Sequence, residues 1–279
     1  MNCTLDNLVF YVTDVDLQRF DRFVATLDRG ELQGNVVNVY RTIGKGASRY
    51  HHNISIGQGG GAIYISWKHN MKKEDLNAYD MRVEFNPSKS SALHSWFWKE
   101  FKEIFFYYTK YVKQFDLAFD LPEYISNISV VSLTGKDRSL FKNTVYYGSS
   151  GKHARLKMYD KKKELKQVQD IEIPEENLTR IEYTVKYDEP IHLNFLKSVP
   201  DLCINQQYNI SNFNLDKSQG IIKASILALQ NGQMELKEFS RDYKKKIKKA
   251  FADMEKIDLD HVYRNAKTKI LDEITLYIN

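Results

Sequence analysis

An α+β fold, with antiparallel-rich sheets and packed helices, is predicted by three observations. Short alternating segments fill the chain to about residue 190, two longer helical patterns interrupt them, and the character turns to helix after Pro190. The alternating segments are Leu5 to Val12, Gly34 to Arg41, Tyr50 to Ile56, Ala62 to Lys68, Met81 to Asn86, Phe115 to Asp120, Thr144 to Tyr147, Ala154 to Tyr159 and Arg180 to Tyr187. Each is rich in β-branched or aromatic residues, and Gly, Asn, Ser or Asp separates many of them, as expected of half-buried strands joined by turns. Helical periodicity covers Asp16 to Asp28 and Ser88 to Tyr111, where Ser90 or Ser91 can cap the start. Several connections are of hairpin length, which favours antiparallel pairing over a doubly wound parallel sheet.

Beyond Pro190, Asn214 or Asp216 can start a helix to about Asn231, a second runs from Glu235 to Met254, and a third from Leu259 to Ile278. The middle helix carries Lys237, Arg241, Lys244, Lys245, Lys246, Lys248 and Lys249, leaving Phe239, Tyr243, Ile247 and Phe251 as an apolar stripe. Such a helix can lie against DNA with Lys244, Lys245 and Lys248 on phosphates. A solvated helix whose stripe packs on its neighbours accounts for the same pattern. The expected organisation is therefore a non-catalytic α+β half over 1–112, a catalytic α+β half over 113–190, and a helical module over 191–279.

The chain has 279 residues, 41 basic and 36 acidic, with a formal charge of +5. That excess identifies no partner but is compatible with a polyanion. Cys3 and Cys203 are too few and too far apart for a disulfide framework or a cysteine zinc site, so a reducing cytosol is the expected setting. No signal-peptide succession is present and no apolar run approaches the ~20 residues that span a bilayer, so a soluble, cytoplasmic protein without a membrane partner is expected.

The two strand-rich parts resemble each other. Gly57-Gln58-Gly59-Gly60-Gly61 precedes the Ala62 strand and later Arg82-Val83-Glu84-Phe85; Tyr147-Gly148-Ser149-Ser150-Gly151 precedes the Ala154 strand and later Arg180-Ile181-Glu182-Tyr183. Aligned on Ala62 and Ala154, Trp67 stands where Tyr159 stands, and Ile63 and Ile65 stand where Arg155 and Lys157 stand. The first half thus lacks a reactive face, and the chemistry belongs in the second. Chance similarity between short alternating strands competes with duplication. The glycine-rich loop at 57–61 lacks the Lys-Ser or Lys-Thr of a phosphate-binding loop and precedes a strand, so it reads as a hairpin turn.

Read as a strand, Ala154 to Lys161 places Arg155, Lys157, Tyr159 and Lys161 on one face and Leu156 and Met158 on the other. Asp116 and Asp120 share one face of their strand, and Arg180 and Glu182 share one face of theirs. If these faces meet, the set fits metal-assisted phosphoryl transfer. Asp116, Asp120 and Glu182 offer hard oxygen ligands to Mg²⁺ or Mn²⁺, Lys161 and Arg180 withdraw charge from the phosphate, and the Tyr159 oxygen attacks. Nearby cations would favour the phenolate of a group whose pKa is ordinarily about 10. Arg155 and Lys157 can track phosphates. A salt-bridged solvent face is the competing reading. Tyr146 and Tyr147 compete as nucleophiles but lack flanking cations, and suit core packing or base stacking better. His51, His52 and His69 form no His-hydrophobic-His pair, and His153 beside the reactive strand is a weaker candidate.

The run Val145-Tyr146-Tyr147-Gly148-Ser149, then Leu156-Lys157-Met158-Tyr159-Asp160-Lys161-Lys162-Lys163-Glu164, then Arg180-Ile181-Glu182, resembles the Rep_trans replication initiators of Gram-positive rolling-circle plasmids. Phe115 to Asp120 and Met81 to Pro87 resemble earlier family segments, and the likeness runs from about residue 50 to 190. The resemblance implies a nicking and closing enzyme at a plasmid origin, in which Tyr159 becomes joined to a 5′ phosphate and leaves a 3′ hydroxyl as primer. It also implies a divalent metal, a homodimer, a host helicase as partner, and double- and single-stranded origin DNA as substrate. A non-catalytic origin-binding or regulatory protein of the same fold is the alternative.

Overall fold

The computed structural model describes residues 1–28, 39–43, 52–57, 63–67, 80–90, 93, 95–134, 138–141, 143–148, 155–212, 220–230 and 233–278. In chain order its elements are β1 (Asn2–Thr13), α1 (Leu17–Asp28), β2 (Val39–Ile43), β3 (His52–Ile56), β4 (Ile63–Trp67), β5 (Met81–Phe85), α2 (Pro87–Ser90), α3 (Ser95–Phe105), β6 (Thr109–Leu121), β7 (Ile128–Ser132), β8 (Arg138–Phe141), β9 (Thr144–Tyr147), β10 (Arg155–Asp160), α4 (Lys161–Gln169), β11 (Thr179–His192), α5 (Ile204–Gln207), β12 (Tyr208–Asn212), α6 (Gly220–Gln230), α7 (Arg241–Ala252), β13 (Glu255–Lys256) and α8 (Leu259–Ile278). The α+β class with antiparallel sheets stands. Hairpins β2–β3, β3–β4, β4–β5, β8–β9 and β9–β10 all pair antiparallel.

Contacts divide the chain into two interleaved units, whereas the sequence suggests three consecutive segments. One unit holds residues 1–3, 118–183 and 200–266, and contains Tyr159; the other holds 4–117, 184–199 and 267–279. In the latter, α1 and α3 lay a row of rings against the strands. Phe101 packs on Phe105 with centroids 4.4 Å apart, Phe105 meets Phe10 of β1 at 6.2 Å, and Tyr277 of α8 sits 4.6 Å from Phe85 of β5. In the Tyr159 unit, a second antiparallel sheet of order β13-β12-β7 forms, and its strands β12 and β13 lie where the sequence suggests only helices. Tyr208 of β12 is fully buried, its ring edge-on to Tyr147 and Tyr183. Asp260 at the start of α8 is buried and accepts hydrogen bonds from the Ile204 and Asn205 amides at 2.7 and 3.0 Å, which satisfies the start of α5.

The helix expected from Ser88 to Tyr111 is corrected at both ends. Ser90 does not cap it; it lies in the short α2 and donates to the Pro87 carbonyl at 2.7 Å. Ser91 lies outside the described residues, as do Asn214 and Asp216 as helix starts. The long helix ends at Phe105 because Tyr108, Lys110 and Val112 are buried at alternate positions, a strand period rather than a helical one. Lys110 is desolvated, which lowers its pKa, and it donates to the Ile278 carbonyl at 3.2 Å at the end of α8.

The likeness of the two halves extends to strand order. The first half runs β2-β3-β4-β5-β1 and the second β8-β9-β10-β11-β6, the same arrangement with the first strand of each half at one end. The register corrects one detail of the alignment. Ser66 lies opposite Arg82 and Tyr64 opposite Glu84, so these share a face, while Ile63 and Ile65 point into the core. In the second half the core-facing pair is Leu156 and Met158. Ser66 and Tyr64 therefore occupy the places of Tyr159 and Lys157. Trp67 belongs to the opposite face, against Phe20 at 5.1 Å. The error is a slip of one residue, which inverts every side chain of a strand.

Among the described residues, no helix is long and apolar enough to cross a membrane.

Candidate active site around Tyr159

Strand β10 holds Tyr159 and Lys157 on the face away from its core residues, and β11 brings Glu182 to both. The Tyr159 hydroxyl donates to Glu182 Oε1 at 2.5 Å, and Lys157 Nζ donates to Oε2 at 2.6 Å. Glu182 is 5 % exposed. A carboxylate so buried needs its partners, because an unpaired charge there costs several kcal/mol. Its pKa reflects that balance: burial pulls it upward, but the Lys157 charge and hydrogen bond, the Tyr159 hydroxyl and the Arg180 charge together hold it below its ordinary value.

Tyr159 behaves oppositely to the expectation from its cations. Burial first, then the Glu182 charge and hydrogen bond, push its pKa far above that of a free phenol, and Arg180 opposes them only in part. The resting side chain is a neutral phenol donating to a carboxylate. Cations on the same face do not make a phenolate here, because the oxygen is buried and the group that touches it is an anion.

Arg180 and Asp120 form a separate fork, with Nε to Oδ1 at 2.6 Å and Nη2 to Oδ2 at 2.7 Å. This two-point geometry is the strong form of a guanidinium–carboxylate pair. Lys161 opens α4, its Nζ 2.5 Å from Glu164 and 5.9 Å from the centre of the Tyr159 ring. Asp160 caps the same helix by accepting from the Lys163 amide at 2.9 Å. Asp116 is buried in the other unit and accepts from Gln114 at 3.4 Å. Arg155 begins β10, and its side chain lies outside the described residues, as do His51, His69 and His153. Lys245 and Lys248 are exposed and Lys244 half-exposed on α7, whose Tyr243, Ile247 and Ala250 pack with Ile226 and Leu227 of α6. Of the expected stripe, Tyr243 and Ile247 thus pack on α6, Phe239 precedes α7 and joins the same cluster, and Lys245 and Lys248 face outward.

The expected convergence of three carboxylates is not found. Among the described residues no three His, Cys, Asp or Glu side chains gather as a metal ion requires. Asp120 is held by Arg180 and Glu182 by Lys157 and Tyr159, so each acid is neutralised by a cation on an adjoining strand. The residues as arranged do not fit a carboxylate-held Mg²⁺ or Mn²⁺.

A cavity of about 310 Å³ opens over Tyr159, Lys157 and Glu182 and is walled by β9 and α4, through residues including Tyr146, Asn143 and Gln167. Sequence reasoning missed Asn143, Gln167 and the whole of α4. A signal for α4 was present: Asp160 as cap, followed by the strong helix formers Lys161 to Gln169.

The profile of the Phage_CRI family, the N-terminal part of a replication-associated protein, matches residues 118–211, a span that includes Asp120, Lys157, Tyr159, Lys161, Arg180 and Glu182. A replication initiation protein of Staphylococcus aureus is 26% identical over 214 residues, covering 73% of this chain and 64% of that protein. Another from the same organism is 30% identical over 137 residues, covering 45% of this chain and 41% of its own length. The chain thus spans less than two thirds of the curated relatives it matches. Among solved structures, a rolling-circle replication initiator from Geobacillus stearothermophilus aligns over 89% of this chain and 96% of its own, with 11% identity and a TM-score of 0.42. The likeness to replication initiators read from the motifs is met by the profile and by the curated relatives.

Proposed function

We propose that this chain is a rolling-circle replication initiator that nicks and rejoins origin DNA through a 5′-phosphotyrosine at Tyr159. The observation that carries the reading is the triad of Tyr159, Glu182 and Lys157 beneath an open cavity. The Tyr159 oxygen attacks the scissile phosphorus while its proton passes to Glu182 Oε1. The new O–P bond forms as the P–O3′ bond breaks, and the 3′ oxygen leaves with the bonding pair and takes a proton from water. Glu182 is the general base in this scheme.

Lys157 sets the timing. In the resting protein it holds Glu182 ionised but weakly basic. A phosphate entering the cavity competes for the ammonium, and as Lys157 turns to the phosphate, Glu182 becomes basic enough to take the phenol proton. Lys161, at the start of α4, adds positive charge on the same side. Rejoining runs the steps in reverse: a 3′ hydroxyl attacks the phosphotyrosine and protonated Glu182 returns the proton, so the retained ester closes the strand without ATP.

Binding of Mg²⁺ or Mn²⁺ at Asp120 would require Arg180 to leave it, so no step is assigned to an ion. Homodimer formation and recruitment of a host helicase accompany this reading as proposals. Non-catalytic origin binding is the second reading, favoured by the pairing of both acids and the phenol at rest.

Incubation with supercoiled plasmid carrying the region upstream of the gene, with and without Mn²⁺, distinguishes the two. A protein-linked nicked circle supports the nickase; duplex binding without any adduct in either condition supports the second reading. Replacing Lys244, Lys245 and Lys248 with Gln should weaken duplex binding and flatten its salt dependence by about one unit of slope for each phosphate no longer neutralised. An unchanged slope in a binding titration would remove α7 from the interface.

A further inference from the structure

We infer that the cavity beside Tyr159 is a base-reading pocket for a nucleotide flanking the scissile phosphate, with Tyr146 as its stacking platform and Asn143 and Gln167 as its readers. This rests on the nickase reading and adds to it a specificity device. A phosphate alone does not need the space. At about 310 Å³ the cavity reaches the lower end of small-ligand sites, enough to take the phosphate's neighbouring nucleoside.

The lining suits a base. In the β9–β10 hairpin Lys157 lies opposite Tyr146 and Tyr159 opposite Thr144, so the two tyrosines share one face and sit diagonally, within reach of a common ligand. Tyr146 is half-buried at the wall of the cavity. Single-stranded nucleic acid is held by such aromatic platforms, on which any base can stack. Discrimination then needs groups that donate and accept at once. Asn143, before β9, and Gln167, on α4, place two exposed side-chain amides at the same cavity. Carboxamides pair best with adenine, whose edge offers one donor beside one acceptor. Lys157 and Lys163 at the wall offer charge to the phosphates on either side of the base.

The test uses Tyr159→Phe protein, which lacks the proposed nucleophile, and a pool of single-stranded oligonucleotides of random sequence. The bound fraction is sequenced. One position should be enriched for adenine by about tenfold, and the enrichment should fall below about twofold in Asn143→Ala or Gln167→Ala made on the same background. Tyr146→Phe should keep both affinity and preference, and Tyr146→Ala should lose affinity for all members of the pool alike. Both amide side chains are exposed, so their removal leaves the fold intact. A pool with no enriched position, or an enrichment that survives both amide variants, overturns the pocket. Covalent capture by the wild-type protein is scored separately: without it the nickase reading fails, while base selection by the Tyr159→Phe protein still decides the pocket.

Discussion

Strands β4–β5 and β10–β11 are laid out alike, yet their polar faces differ, and in the second pair a tyrosine hydroxyl meets a buried carboxylate. In the first, Arg82 pairs with Glu84 two residues along its own strand at 2.6 Å, both side chains about one third exposed (32% and 33%). In the second, Lys157 reaches across to Glu182 at 2.6 Å, and the carboxylate side chain is only 7% exposed. The face that carries Ser66 and Tyr64 in one half carries Tyr159 and Lys157 in the other. An exposed ion pair within a strand contributes little, whereas a buried carboxylate depends on the lysine and the phenol that fix it. The two strand pairs thus share a layout and differ at two positions of one strand face and in the burial of one acid.

The largest effect that separates the halves is expected at the acids. Glu182→Gln should lower the rate of covalent adduct formation by about 10²–10⁴-fold, the usual range for a lost general base, while Glu84→Gln should change it less than about twofold. Equal losses in a single-turnover assay would end the distinction. Next come the cations: Lys157→Met leaves Glu182 buried without its counter-charge and should cost about 3 kcal/mol in urea unfolding, against less than about 1 kcal/mol for Arg82→Met.

The pH dependence sharpens the same contrast. Because the Glu182 pKa is depressed on folding, its stabilisation is present above the unfolded carboxylate value and is lost as pH falls through the lower, folded value. Wild-type protein should therefore lose an increment of Tm below pH 4.5 that Glu182→Gln lacks. The smallest expected change is from Ser66→Tyr, which sets a phenol opposite Arg82. Tyr64 stands there in place of the lysine, so no second adduct should form and the rate should stay within about twofold of wild type. A new adduct at position 66 would show that a phenol beside an acid suffices.

Much of this was legible in the sequence, and the exceptions have physical causes. Alternation located β1, β3, β4, β5, β9, β10 and β11 to within a few residues at most starts, because one face of each is buried. It could not locate β8, whose four residues are all exposed, or β12, a short strand supported by pairing with β7. Aromatic residues 106–108 carried the helical pattern past its end, where burial of Lys110 decides for strand. At the site, alternation placed Tyr159 and Glu182 on polar faces but could not say what the acid would hold. That depends on strand register, which lets Lys157 and Tyr159 reach Glu182 and Arg180 reach Asp120. Alternation alone does not tell which partner each acid on a strand face will meet.

Peptide mapping of the covalent DNA adduct tests the central claim most directly. After reaction with supercoiled plasmid bearing the upstream region, the nucleotide should remain on the peptide containing Tyr159, and Tyr159→Phe protein should bind the same DNA without forming an adduct. An adduct on Tyr146 or Tyr147, or one that persists in the Tyr159→Phe protein, would contradict it.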